Sequence, residues 1–126
     1  MRTTILFPEG IPGFEQMREC RLERVEEGPF YVLEEEAGDL SLVLVDPETC
    51  LHGYRFQASP SDLSAIELTD EELAQVLVIA TLTEKPGDIH VNLKAPIIIN
   101  KQNAKACQVI DTSGNYEVRM PLFAGE

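Results

Sequence analysis

The side chains able to do covalent or metal chemistry are few and scattered. Cys20, Cys50 and Cys107 are the only cysteines and His52 and His90 the only histidines of the 126 residues. Cys50-x-His52 offers two ligands where a closed tetrahedral zinc site needs four, and no C-x-x-C pair completes it. An odd, dispersed set of cysteines does not make a disulfide framework either, so the thiols are read as reduced and structural. No metal or other cofactor is expected. A nucleophilic serine lacks the G-x-S-x-G elbow, and no spacing supports a Cys–His dyad. Carboxylates are plentiful, but none lies in a context that suggests burial beside a titrating partner, as acid–base catalysis requires. The chemistry points away from an enzyme.

The glycines point elsewhere too. Phe7-Pro8-Glu9-Gly10-Ile11-Pro12-Gly13-Phe14-Glu15 contains neither G-x-x-x-x-G-K-[ST] nor G-x-G-x-x-G. Pro8 and Pro12 fix φ while Gly10 and Gly13 can take φ above zero, so the segment is stiffened and turned twice. Phe7, Ile11 and Phe14 supply apolar anchors. This is a rigid packed loop, not a phosphate cradle.

Charge is the second informative feature. The net charge is −12, and residues 1–90 hold 19 acidic against 6 basic residues, a net −13, whereas residues 91–126 hold 3 against 4, a net +1. Glu26-Glu27, Glu34-Glu35-Glu36 and Asp70-Glu71-Glu72 are the densest points. Such a field repels phosphate backbones over roughly 8 Å at physiological salt, which argues against direct nucleic-acid binding. The clusters serve as a solvated surface or as an attractive face for a basic partner.

The elements that must position these residues are mostly short strands. At 126 residues the chain is one domain, and 44% hydrophobic with 25% charged residues is a globular composition. No apolar run approaches the roughly 20 residues of a membrane helix, and Pro8 and Glu9 interrupt any leader-like start. A soluble, cytoplasmic protein is the expectation. Strands are predicted over residues 18–25, 30–33, 40–45, 76–83, 89–93, 97–99, 107–110 and 116–120, separated by turn signals such as Gly28-Pro29, Gly38-Asp39 and Asp46-Pro47. The nearly continuous apolar runs at 40–45 and 76–83 suggest cover on both faces. Ser59-Pro60 opens a short helix over 60–66. Thr69-Asp70-Glu71-Glu72 fits a capping box, but the β-branched run behind it favours a turn over 69–73 followed by a strand. Pro96, which cannot donate to a ladder, opens the strand Ile97-Ile98-Ile99. The pattern gives a mainly β fold: a small antiparallel β-barrel or sandwich with one short helix.

Four segments, in order and in register, resemble the FliW family of flagellar assembly factors. They are Phe7 to Glu15, then Pro29-Phe30 with the strand ending Val45-Asp46-Pro47, then Asn92-Leu93-Lys94-Ala95-Pro96-Ile97-Ile98-Ile99-Asn100, and finally Tyr116 to Leu122. The resemblance covers nearly the whole chain, and the third segment is its most specific part. It implies a single-domain cytoplasmic binding protein, not an enzyme, that antagonises the translational regulator CsrA, a basic RNA-binding protein, and binds flagellin during flagellum assembly. Flagellin that accumulates would occupy the factor and leave CsrA free to repress flagellin messenger RNA. Antagonism of this kind needs a coupling of about 1–3 kcal/mol between sites. The acidic surface fits the need independently, since it would steer a basic partner and repel RNA.

The resemblance carries over to residues unevenly. Phe7, Pro8, Gly10, Pro12, Gly13, Asp46, Pro47, Asn92, Pro96 and Asn100 are expected to hold turns that shape the barrel. Phe14, Glu15 and Lys94, with Glu34, Glu35, Glu36, Asp70, Glu71 and Glu72, are the candidates for partner contact. The chain departs from the family pattern twice. Only six residues precede Phe7, where the family usually has a longer segment with a first strand, so either the barrel is open at that edge or the first strand is very short. An open edge would pair with a partner's strand or with a second copy in a homodimer. Met120 stands where the family commonly has His. A different class of function, a small-ligand-binding β-barrel or weak hydrolase, would need an enclosed pocket with convergent polar groups.

Overall fold

The computed structural model describes residues 2–38 and 40–122, which form nine strands, one short helix and several single turns of 3-10 helix. The strands are β1 (Arg2–Leu6), β2 (Glu19–Arg24), β3 (Phe30–Glu35), β4 (Ser41–Val45), β5 (Ala74–Thr81), β6 (His90–Val91), β7 (Ile97–Asn100), β8 (Lys105–Gln108) and β9 (Met120–Pro121). Seven of them close a ring in the order β1-β2-β3-β4-β5-β7-β8 and back to β1. All pairings are antiparallel except β1–β8, which are parallel and meet only at Leu6 and Lys105. The architecture is therefore a closed barrel rather than a sandwich, with β6 and β9 carrying the sheet outward from β5.

Alternation builds the wall. Cys20 and Leu22 of β2 point inward while Glu19, Arg21 and Glu23 point out, and β3 places Leu33 and Glu35 inside opposite them. Phe7, Ile11, Met17, Leu33, Leu77 and Ile97, all essentially inaccessible, fill the interior. The barrel is thus packed with side chains, as small barrels are.

β5 and β7 are buried on both faces, as the apolar run at 76–83 suggested. Leu77, Ile97 and Ile99 face the interior. On the outer side Val78 and Ala80 pack with Tyr54, Ile89, Val91 and Leu93, and Ile98 packs with Ile66, Leu68 and Val109. The helix α1 (Pro60–Ser64) and the chain that follows supply part of that cover. Ser59 caps α1 by accepting from Asp62 N–H at 3.3 Å, and Pro60 occupies its first position. The helix ends two residues before the expected 66, because the chain turns through Glu67 at φ 58° to bury Ile66.

Other boundaries moved for identifiable reasons. The capping signal at Asp70 is real: Asp70 Oδ1 accepts from Glu72 N–H at 3.0 Å, but it starts one 3-10 turn, Glu71–Leu73, and β5 begins at Ala74. Where no strand was predicted ahead of Phe7, β1 stands, so the structure has a short first strand and that edge is closed along β2. The long strand predicted over 116–120 is reduced to Met120–Pro121, where Met120 pairs with Val91 and packs on the outer cluster. β8 runs over 105–108 rather than 107–110, since Lys105 already pairs with Asn100 and, past the Val109 N–H bond to Pro96 C=O, the chain turns to donate from Asp111 N–H to Lys94 C=O. Asp39 of the Gly38-Asp39 turn lies outside the described residues. No helix among the described residues is long and apolar enough to cross a membrane.

Candidate functional site

The opening loop satisfies its own backbone. Phe7 N–H donates to Arg18 C=O, Gly10 N–H to Phe7 C=O, Phe14 N–H to Ile11 C=O and Met17 N–H to Phe14 C=O, and Ile11 and Phe14 form a bridge. Gly10 sits at φ +71°, and a Cβ there would lie 2.7 Å from Glu15 C=O. Only glycine fits. Arg18 Nη1 donates to Pro8 C=O, which ties the loop's two ends. Phe7 and Ile11 are anchors in the barrel interior, whereas Phe14 is half-buried at its rim.

Glu15 therefore has an internal task. Its Oε2 accepts from Gly13 N–H at 2.9 Å, and that bond holds its carboxyl below the ordinary range although the group is exposed. Gly13, at φ +86°, is the turn that brings the N–H into reach.

The second motif turns in the same economical way. Asn92 Oδ1 accepts from Lys94 N–H at 3.1 Å, and Lys94 C=O accepts from Asp111 N–H at 2.7 Å. Pro96, buried, opens β7 as expected and accepts from Val109. Asn100, 2% exposed, donates from Nδ2 to Ile66 C=O at 2.9 Å and accepts at Oδ1 from Gln102 N–H at 2.9 Å. It joins the end of α1 to the β7–β8 turn. Asp46 Oδ1 caps the 3-10 turn Pro47–Thr49 through Glu48 N–H, with Pro47 buried.

The two motifs meet across a surface cleft of about 480 Å³ at the mouth of the barrel. Pro12 and Phe14 form one wall, Ile79 and Thr81 of β5 another, and Asn92 and Ala95 a third. His90 and Arg119 are its titratable groups, and Val118 on its rim is 61% exposed. Residues of this kind, an apolar floor with an aromatic and an arginine at the edge, suit a docked protein segment.

The acidic clusters lie elsewhere. Glu34 and Glu36 both pair with Arg21, at 2.7 and 3.2 Å, on the outer wall. Glu35 points the other way: it is 8% exposed, beside Cys20 in register, and its Oε1 has no hydrogen-bond partner among the described residues. It is not part of an exposed acidic face, because alternation along β3 sends it inward. Asp70, Glu71 and Glu72 are exposed, and Glu71 lines an open cleft of about 980 Å³ that also contains Arg55 and Lys101. Lys94 is exposed beside the apolar cleft's turn. Of the candidate contact residues, only Phe14 lines that cleft.

Ile79, His90, Gln108 and Arg119 line it as well, and sequence reasoning did not single them out. Asp111, 3% exposed, was also missed. It accepts from Gln57 N–H at 2.6 Å and from Ser113 N–H at 3.0 Å, so it fixes the loops beside β9. Tyr54 donates to Leu93 C=O at 2.6 Å and stacks obliquely on Tyr116, with burial raising its hydroxyl well above the ordinary range.

The thiols are not poised for nucleophilic attack. Burial pushes Cys20 up to about 11, with Glu35 and Glu36 adding to it, and pushes Cys107 up to about 11 and Cys50 upward. Among the described residues no three His, Cys, Asp or Glu side chains group as a metal site would.

Comparison with known proteins gives a consistent likeness. The family described as FliW protein matches residues 1–122. The flagellar assembly factor FliW of Geotalea uraniireducens is 35% identical over 120 residues, which is 94% of this chain and 74% of that one. That of Desulfitobacterium hafniense (strain Y51) is 38% identical over 122 residues, 95% and 80% of the two chains. A crystal structure of the flagellar assembly factor FliW superimposes with a TM-score of 0.89 at 31% identity, covering 98% of this chain and 87% of that one.

Proposed function

The chain belongs to the FliW family of flagellar assembly factors, and on that premise we propose that it is a cytoplasmic, non-enzymatic binding protein that holds flagellin and antagonises CsrA. The observation that carries this reading is the apolar cleft at the mouth of a filled barrel. Docking a partner segment needs an exposed apolar groove with few polar anchors, and Phe14, Ile79 and Val118 supply one beside Arg119. Phe7, Ile11, Met17, Leu33, Leu77 and Ile97 fill the interior, which argues against the enclosed chamber that a small-ligand barrel would use.

The charge supports the second partner. Glu23, Glu26 and Glu27 crowd the outer β2–β3 hairpin, and Asp70, Glu71 and Glu72 crowd the turn before β5, so a basic RNA-binding protein is drawn in at long range. The apolar cleft is the flagellin side and the acidic wall the CsrA side of this reading. Calorimetry with purified CsrA and with flagellin tests it. CsrA is expected to bind at moderate salt and weaken as salt rises, while flagellin binding is expected to change little with salt and to weaken about tenfold or more in Phe14→Ala. Absence of binding to both proteins would overturn the reading.

A further inference from the structure

β8 has two edges of different character. Toward β7 it makes four registered pairs, from Asn100↔Lys105 to Ile97↔Gln108. Val109 N–H donating to Pro96 C=O fixes the phase, so odd-numbered residues aim their main-chain groups at β7 and even-numbered ones aim theirs away. Toward β1 the ladder consists of Leu6↔Lys105 alone. Past that point the chain leaves β1 for the opening loop, and the outward N–H and C=O of Gln108 have no partner among the described residues. Pro12, which stands nearby, has no N–H to offer.

Clefts flank this free edge on both sides. The one of about 480 Å³ at the barrel mouth is met by another of about 330 Å³ between the opening loop, α1 and β8, and Pro12 and Gln108 line both. Their charges are opposite. Glu9 and Asp62 line the smaller cleft, whereas His90 and Arg119 line the larger, with Phe14, Ile79 and Val118 as its apolar surface. An arginine in a cleft that no carboxylate lines stands out in a chain of net charge −12. Neither Glu9 nor Arg119 is held in an ion pair among the described residues.

We propose that the outer edge of β8 accepts an extended segment of a partner protein, pairing main chain to main chain at Gln108, with a basic residue at the Glu9–Asp62 end, an apolar side chain against Phe14 and Ile79, and a carboxylate at the Arg119 end. Unpaired edge groups give a strand its affinity and the alternating pockets give it selectivity. The charge order selects which segment fits. The inference stands apart from which proteins bind, since it concerns the backbone form of the segment that docks.

The test uses the full chain, isotope-labelled for amide spectra, and a capped heptapeptide of lysine, threonine, valine, threonine, valine, threonine and aspartate. Shifts are expected at residues 106–110 and around Arg119. A copy N-methylated at alternate amides, and a copy with glutamate at both ends, are each expected to bind about tenfold more weakly. Gln108→Pro removes the free N–H and, with the side chain, the Nε2 bond to Ala95 C=O, and is expected to abolish binding, whereas Gln108→Ala, which loses only the side chain, is expected to keep it within about twofold; a folded-state check by circular dichroism accompanies both. Arg119→Glu, which leaves the backbone alone, is expected to weaken the peptide roughly fivefold and to favour one with lysine at both ends. Equal binding of the N-methylated copy, or shifts confined to other surfaces, would overturn the proposal. So would concentration-dependent shifts at residues 106–110 without peptide, which would give the edge to a second copy of the chain.

Discussion

The β1–β3 side of the barrel and the β5–β7 side share one interior but differ in what lies outside them. On β2 the outward residues are Glu19, Arg21 and Glu23, all charged and at least partly exposed, with Arg21 paired to Glu34 and Glu36; on β7 the outward Ile98 is completely buried under Ile66, Leu68 and Val109. The first side alternates, and the second reads as an unbroken apolar run. Pattern therefore reports not only that a segment is a strand but also what covers it. The same division separates the two surfaces proposed to bind partners: much of the charge, which acts at a distance, sits on the bare wall, and the apolar cleft, which acts on contact, opens where the covered wall ends at Ile79 and Thr81.

The sharpest way to break that contrast is to truncate one outward residue on each side. Ile98→Ala leaves a cavity between β7 and the α1 cover and should cost about 2–5 kcal/mol, read as a fall in the urea midpoint. Arg21→Ala, also outward on the wall, removes half-exposed pairs with Glu34 and Glu36 and should cost no more than about 1 kcal/mol. Comparable losses at the two positions would mean that the covered side is not packed as described.

Gly10→Ala comes next in size. The substitution forces a side chain into φ +71° and a Cβ to within 2.7 Å of Glu15 C=O, so the loop must open or distort. A cost of about 1–3 kcal/mol is expected. Gly13→Ala, which would meet nothing within 4 Å, should show the conformational part alone and lose less. If the two changes cost the same, the close approach at Gly10 carries no weight.

Much of this was legible because it is local. The double turn at residues 7–15, the Ser59-Pro60 start and the Pro96 opening of β7 each follow from φ restrictions and capping that act within a few residues. β1 was not legible, since Thr3 and Thr4 are exposed and Ile5 is its one fully inward apolar residue. Glu35 was half-legible: with Leu33 inward, period two sends Glu35 inward, yet three consecutive glutamates read as a solvated run. The cleft could not be read at all beyond Phe14. Ile79, His90, Gln108 and Arg119 come from four separate strands or flanking segments, and only closure of the ring and the β5-β6-β9 extension bring them to one rim.

The smallest expected effect isolates the loop that forms the cleft's wall. Gly13 N–H donates to the charged form of the Glu15 carboxylate, so its folded pKa lies below the ordinary 4.5. A depressed carboxylate pKa contributes stability that is complete above the unfolded value and is lost as pH falls through the folded one. Side-chain carboxyl titration by NMR should therefore place the Glu15 midpoint below 4.5, and the Gly13 amide should shift over the same acidic range. A Glu15 midpoint at or above 4.5 would mean that the loop is not held by its own carboxylate, leaving Glu15 free for the partner contact that its exposure first suggested.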